Sequence, residues 1–594
     1  DPSIDKELEN YALSSTWFLA LVALLVLMAL LYVTFRRFTD IFLPLLVIFI
    51  AALWIYGLMG WFHLPYTLIS MILGPLVLGI SLGNLVYMMS RFYEELGIRR
   101  DQRESAYRAV NTVGVAIFLA CITTAFGFAS FRISDFDVLQ QFGYMGAAGI
   151  GICFVFSVTL LPSLMVLRED WRERRAGKRA PRGVSIFSGS GRSRVDRLME
   201  RIAGMSQERP RAVVAIYVLV VLACALGAMR LTTTPDLRAL APQDLPPLQA
   251  QYEEEKIFGG QQEDVLLVTG DILRPEVLAA MLRFQDMLAD TPYFTRDGTA
   301  SVAELLQDFR REMGLASEEG GAYAGLPSSA EEAERDLATI ARLFGPQEGK
   351  MVSEDHGAAL ISIFSEGARS NQEMMDKNRA LKETAEACFE GLDVSYRVGG
   401  ITPLTADLMG NLVPTQIRTA LLALLLSALV LVVIFRSFTY GLATLSVLVA
   451  GVAAEIGLLA VRGWELDMMT VMVASMIIGM GIDYGIHVTH RFREEYSMEE
   501  VGVAEALNIT VTRVGKPLLA SAVSTAGAFL IISFSKMAPI RRFGIITALS
   551  LAVSLAASLL VLPSIITLIA RSRPLAKEEW EPAEIAELGP AEHA

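Results

Sequence analysis

The chain contains itself twice, at an offset of about 400 residues, and only one copy keeps a buried charge. Phe35-Arg36-Arg37-Phe38-Thr39 returns as Phe435-Arg436-Ser437-Phe438-Thr439, and Arg91-Phe92-Tyr93-Glu94-Glu95 as Arg491-Phe492-Arg493-Glu494-Glu495. Beyond one inserted residue the offset is 401: Thr123-Thr124-Ala125 meets Ser524-Thr525-Ala526, and Leu161-Pro162-Ser163 meets Leu562-Pro563-Ser564. Both copies are long, apolar and helical in pattern. A duplicated membrane half with a site between the halves is how many transporters are built. Asp483 lies inside an apolar span of the second copy, and its partner in the first copy is Gly83.

Apolar runs of 18 or more residues are too long for ordinary core helices. Eleven are legible, at about 16–35, 41–62, 67–92, 113–131, 138–167, 211–231, 416–435, 440–461, 468–492, 516–534 and 541–570. A composition of 53% hydrophobic and 19% charged residues fits a polytopic helical membrane protein. Residues 168–211 carry thirteen basic groups, which places that loop in the cytoplasm by the positive-inside rule. Arg541 and Arg542 break the pattern locally. Residues 232–412 hold 32 acidic and 15 basic groups, a net −17, and form a water-soluble domain on the outer side. That acidity serves solubility or draws cationic substrate, and it does not suggest nucleic acid.

The expected organisation is a first five-span array (1–170), a basic linker (171–210), a lone span (211–231), an outer domain (232–412), a second five-span array (413–571) and a cytoplasmic tail (572–594). The outer domain alternates strand and helix patterns. Strands are expected at Glu263–Gly270, Ala358–Phe364 and Val394–Val398, with helices at Pro275–Leu288, Ser328–Phe344 and Gln372–Phe389. This order suggests a split βαβ, α+β arrangement. The second array follows a lone span and an outer domain, whereas only about 15 residues precede the first. By symmetry the chain is expected to be a fragment lacking a first span and a first outer domain.

Asp483 is the leading functional candidate. A carboxylate within a span costs about 2.5–3.5 kcal/mol on insertion scales, so it is paired, hydrated or functional. Tyr484 follows it, and His487 and His490 lie one and two turns on, along the same face. A carboxyl so placed can change protonation with water access, which suits a proton-driven cycle. The alternatives are a static bond between helices, or a metal site of Asp483, His487 and His490 that lacks an obvious fourth ligand. Gly479 and Gly481, like Gly79 and Gly83, permit close helix approach. Packing of the two central spans would bring Asn84 beside Asp483. Ser524 and Thr525 either bond back to their own helix or bridge to Asp483. Glu455 is the second intramembrane acid, where the first copy has Ile55, and serves a substrate path, a helix pair or the outer surface. The four cysteines form no disulfide framework or metal spacing, and no cofactor or metal is expected. There is no P-loop, so ATP drive is not expected.

Gly479-Met480-Gly481-Ile482-Asp483-Tyr484, running on to Arg491-Phe492-Arg493-Glu494-Glu495, resembles the central-span signature of the resistance–nodulation–division superfamily. With the Ser-Thr-Ala-Gly-Ala-Phe run at 524–529, it is most similar to the MmpL-type predicted exporters, and each array resembles a sterol-sensing domain. The resemblance implies a proton-coupled inner-membrane exporter with twelve spans and outer porter domains. The family's intramembrane carboxylate falls on Asp483, with Tyr484 beside it. Many relatives carry an acid in both central spans, and this chain has Gly83-Asn84 at the first. The implied partners are the bilayer, protons and a hydrophobic or amphiphilic, lipid-like substrate, and a homo-oligomer or a periplasmic partner stays open. The rival expectations are a lipid- or sterol-sensing module that does not transport, and a membrane enzyme.

Overall fold

The computed structural model of the chain describes residues 38–67, 69–99, 101–176, 194–233, 245–258, 261–315, 323–344, 351–368, 370–497 and 501–572, with a few isolated positions in 22–32. The chain divides into two compact units, Thr233–Leu412 and the remainder on either side of it.

The first half of the membrane unit comprises α1 (Phe38–Trp61), α2 (Ser70–Arg99), α3 (Gln102–Ala129), α4 (Asp137–Val158) and α5 (Leu160–Ala176). Then come α6 (Arg194–Glu208) and α7 (Pro210–Gly227). In the Thr233–Leu412 unit lie α8 (Pro246–Phe258), β1 (Gln261–Gly270), α9 (Pro275–Ala289), β2 (Thr299–Ala300), α10 (Val302–Glu312), α11 (Ala330–Phe344), β3 (Ala358–Glu366), α12 (Asn371–Phe389) and β4 (Val394–Gly400). The second half follows as α13 (Ile401–Phe435), α14 (Phe438–Arg462), α15 (Met468–Tyr496), α16 (Val503–Ile532), α17 (Ala538–Ala556) and α18 (Leu562–Ser572).

Among the described residues, ten helices are long and apolar enough to cross a membrane, and they coincide with ten of the eleven expected spans. The eleventh, 16–35, lies almost wholly outside the described residues. The duplication extends to local detail. Asp467 caps α15, accepting from the Thr470 backbone at 2.8 Å, while the Thr470 hydroxyl accepts from the Asp467 backbone. At the equivalent start of α2, the Ser70 backbone donates to the Thr67 hydroxyl at 3.2 Å. Pro162 and Pro563 each lack the N–H that would bond the carbonyl four residues back. The helix accordingly breaks at Thr159 in the first half, and Ala557–Val561 forms a π-turn in the second. Arg542, which breaks the charge rule, sits 4.0 Å from Asp467 and over the Trp464 ring.

In the Thr233–Leu412 unit, the sheet order is β2-β3-β1-β4, with β1 antiparallel to both neighbours. β3, α12 and β4 are therefore a split βαβ unit with β1 between its strands. Leu266, Val268, Ile361 and Ile363 of the sheet close on Met281 and Phe284 of α9 and Leu381 and Phe389 of α12. The expected strands and helices are present. α10 is an addition; its Ser301 cap accepts from the Glu304 backbone, a signal present in the sequence.

Candidate functional site

The two membrane halves meet by an exchange of equivalent contacts. The Thr124 hydroxyl of α3, whose one hydrogen is shared with the Ala120 carbonyl of its own helix, donates to the Gly479 carbonyl of α15, both at 2.9 Å, and Thr525 of α16 donates to the Gly79 carbonyl of α2 at 3.0 Å. Donors and acceptors are each related by the sequence repeat, so a pseudo-two-fold axis runs between the halves. Glycine permits this approach. A Cβ on Gly479 would lie 3.1 Å from the Thr124 backbone, and one on Gly79 would lie 3.0 Å from the Ala528 Cβ. The close contacts therefore run from each central helix to the opposite half's α3 or α16. The expectation that α2 and α15 pack tightly on each other needs correcting: they face one another across a cavity.

That cavity is small, about 20 Å³. Asp483, Tyr484, His487 and Met480 of α15 line it, with Ile80, Gly83, Asn84 and Tyr87 of α2, Leu518, Ser521 and Thr525 of α16, and Leu551 of α17. It is polar and large enough to hold water. Oδ1 of Asp483 is buried with no hydrogen-bond partner. The carboxylate is only partly accessible, and what it sees is this cavity. A static bond between helices is thus not what holds Asp483 here.

Five of the residues singled out from sequence converge on the cavity: Asp483, Tyr484, His487, Asn84 and Thr525, together with Gly83. Asn84 does not bond the carboxylate; its amide donates to Cys121 Sγ at 3.4 Å. Ser524 stands off the cavity, and its hydroxyl donates to the Ala520 carbonyl at 2.9 Å. Gly481 packs elsewhere too: a Cβ there would lie 3.0 Å from Ser554 Oγ of α17. His490 parts from Asp483 and lines a second, wider cavity of about 710 Å³ with Arg91, Glu94, Arg491 and Glu494. Among the described residues, no three His, Cys, Asp or Glu side chains gather as a metal site would require.

Glu455 belongs to neither cavity. It is fully buried, Gln416 donates to its Oε1 at 3.1 Å, and its Oε2 has no partner. Two polar cavity residues escaped the sequence reading, Tyr87 and Ser521. The repeat itself carried the signal for Tyr87, because an offset of 400 pairs it with His487.

The sequence pattern of the MMPL family matches residues 2–213 and 283–585. The chain belongs to the MMPL family. Among its relatives, a putative membrane protein of Methanocaldococcus jannaschii is 22% identical over 62% of this chain and 94% of that protein. The mycolic acid-containing lipids exporter MmpL11 of Mycolicibacterium smegmatis is 23% identical over 82% of this chain and 47% of the exporter. The chain thus spans about half the length of that relative. The hedgehog release protein Disp of the water bear Hypsibius dujardini shares the fold, with a TM-score of 0.67, 14% identity, and coverage of 94% of this chain and 71% of that one.

Proposed function

We propose that this MMPL-family protein is a proton-coupled exporter of a hydrophobic or amphiphilic, lipid-like molecule, with Asp483 as its proton-carrying group. The observation that carries the reading is an unpartnered carboxyl oxygen on a water-sized cavity between two duplicated membrane halves. An acid in that setting gains or loses its proton as water reaches it. Rocking of one half against the other changes that access, and this couples proton passage to substrate passage. The lipid-like substrate is supported by the mycobacterial relative named as an exporter of mycolic acid-containing lipids. The reading sets the membrane unit in the inner membrane with the acidic 232–412 domain outside, in keeping with the basic loops.

The test is Asp483→Asn in the full-length protein, reconstituted with an imposed proton gradient. Asn keeps the size of the side chain and cannot titrate. Transport should fall at least tenfold while the protein stays monodisperse. Export at the normal rate would overturn the assignment.

A further inference from the structure

The Asp483 cavity and the wider cavity beyond it share two lining residues, Tyr87 and His487. Their rings are stacked, with centroids 4.3 Å apart and planes 12° from parallel. The repeat makes them equivalents: each follows its half's Gly83 or Asp483 by one helical turn. One ring comes from each half, and they meet where the pseudo-two-fold axis passes between the central helices.

The wider cavity keeps the same symmetry. Arg91 and Arg491 line it, as do Glu94 and Glu494. It reaches the protein surface, since its walls include Ile98, which is 72% exposed. Two ion pairs at its rim each stay within one half, Arg91 with Glu94 and Arg491 with Glu494, at 2.9 Å, while Lys516 of α16 pairs with Asp196 of α6. The aromatic stack is therefore a link between the two central helices that relative sliding parts, with no ion pair between Arg91 or Glu94 and Arg491 or Glu494 to break. The Tyr87 hydroxyl is buried and has no hydrogen-bond partner, an unmet donor in this arrangement.

We propose that the Tyr87–His487 stack is the barrier between the Asp483 cavity and the surface-reaching cavity at the Arg91/Arg491 end. Parting the rings gives Asp483 its water connection to that side, which the basic loops mark as cytoplasmic. The meaning for transport rests on Asp483 as the proton carrier; the barrier itself does not.

The test measures water access instead of transport. Ser521, on the Asp483 cavity, is replaced by Cys in a chain whose four cysteines are changed to Ala. A charged, membrane-impermeant thiosulfonate is applied from the Arg91/Arg491 side of oriented vesicles. Labelling should be slow with Tyr87 intact, slow with Tyr87→Phe, which keeps the stack, and at least tenfold faster with Tyr87→Ala. Thr112→Cys, in the wider cavity, should label fast in every background. If Tyr87→Ala does not fold, His487→Ala carries the same expectation. Fast labelling of Ser521→Cys with both rings present, or no acceleration in a folded ring deletion, would overturn the barrier. Asp483→Asn should leave the labelling slow, so a failure of the proton-carrier reading is distinguishable from a failure of this one.

Discussion

The Thr525 hydroxyl reaches across the pseudo-two-fold axis to the Gly79 carbonyl at 3.0 Å, and Thr124 returns the same bond to Gly479. Each carbonyl belongs to a central helix, so each bond ties one half's cavity wall to the other half. Interhelical bonds of this kind contribute about 0.6 kcal/mol on average, because the membrane-embedded unfolded state also finds partners. Thr525→Val keeps the side-chain shape and removes the donor. A loss of about 0.6 kcal/mol is expected, and Thr124→Val should add to it because the two bonds share no partner. Thermal unfolding in detergent of the single and double variants checks both points.

The glycines behind those bonds should be unequal. A Cβ on Gly479 meets backbone, with Thr124 Cα and O at 3.1 Å and Gly127 Cα at 3.3 Å. Backbone in a packed helix cannot yield as a side chain does, and overpacking costs about 1–3 kcal/mol. A Cβ on Gly79 meets only the Ala528 methyl at 3.0 Å, with nothing else nearer than 3.7 Å. Gly479→Ala should therefore lower the melting midpoint more than Gly79→Ala does. Equal midpoints would show that α3 and α15 are not in contact as described.

The architecture was legible because duplication and hydropathy are written in the order of residues. Ten spans and the strands of the Thr233–Leu412 unit follow from apolar periodicity, and Asp483 is conspicuous as an acid in an apolar run. The partners of each side chain were not legible. Asn84 turns to Cys121, Ser524 turns back on its own helix, and Thr525 crosses to Gly79. All three are polar residues in apolar helices, and local pattern does not reveal which neighbour each will face. In the sequence Tyr87 is one aromatic among several in apolar spans. Its meaning arises only when the fold lays it on His487.

Acid should loosen the Thr233–Leu412 unit at a particular corner. Arg310 of α10 bridges Glu332 and Asp336 of α11, each at 2.7 Å. Hydrogen bonds from Ser328, then the Arg310 guanidinium, pull the Glu332 pKa from 4.5 down to about 2. A carboxylate whose folded pKa lies below its unfolded value stabilises the fold above the unfolded pKa. That contribution is lost as pH falls from about 4.5 toward about 2. The Glu332 side chain is 27% exposed, so solvent screening holds the effect to about 1 kcal/mol. Thermal midpoints of the full chain at falling pH should decline less steeply in Glu332→Gln than in the parent.

The two intramembrane acids should differ in what their neutralisation does. Glu455 is as deeply buried as any residue in the chain, yet it is off the axial cavity and already shares a hydrogen bond with Gln416. Glu455→Gln keeps a carbonyl oxygen to accept that bond, so folding and most of the transport should survive. Asp483 has no such partner and faces the cavity between the halves. Asn cannot ionise and so never carries the cost of an unpaired charge in an apolar span, and Asp483→Asn should be at least as stable as the parent. Asp483→Gly should also fold, because Gly83 occupies the equivalent place in the first half. Transport is expected to separate the variants: near the parent rate for Glu455→Gln, and at least tenfold lower for Asp483→Asn and Asp483→Gly. Flux measured in proteoliposomes under a proton gradient, with melting midpoints on the same preparations, decides it. Equal losses at both acids would mean that the proton route includes Glu455, and that the axial cavity is only part of it.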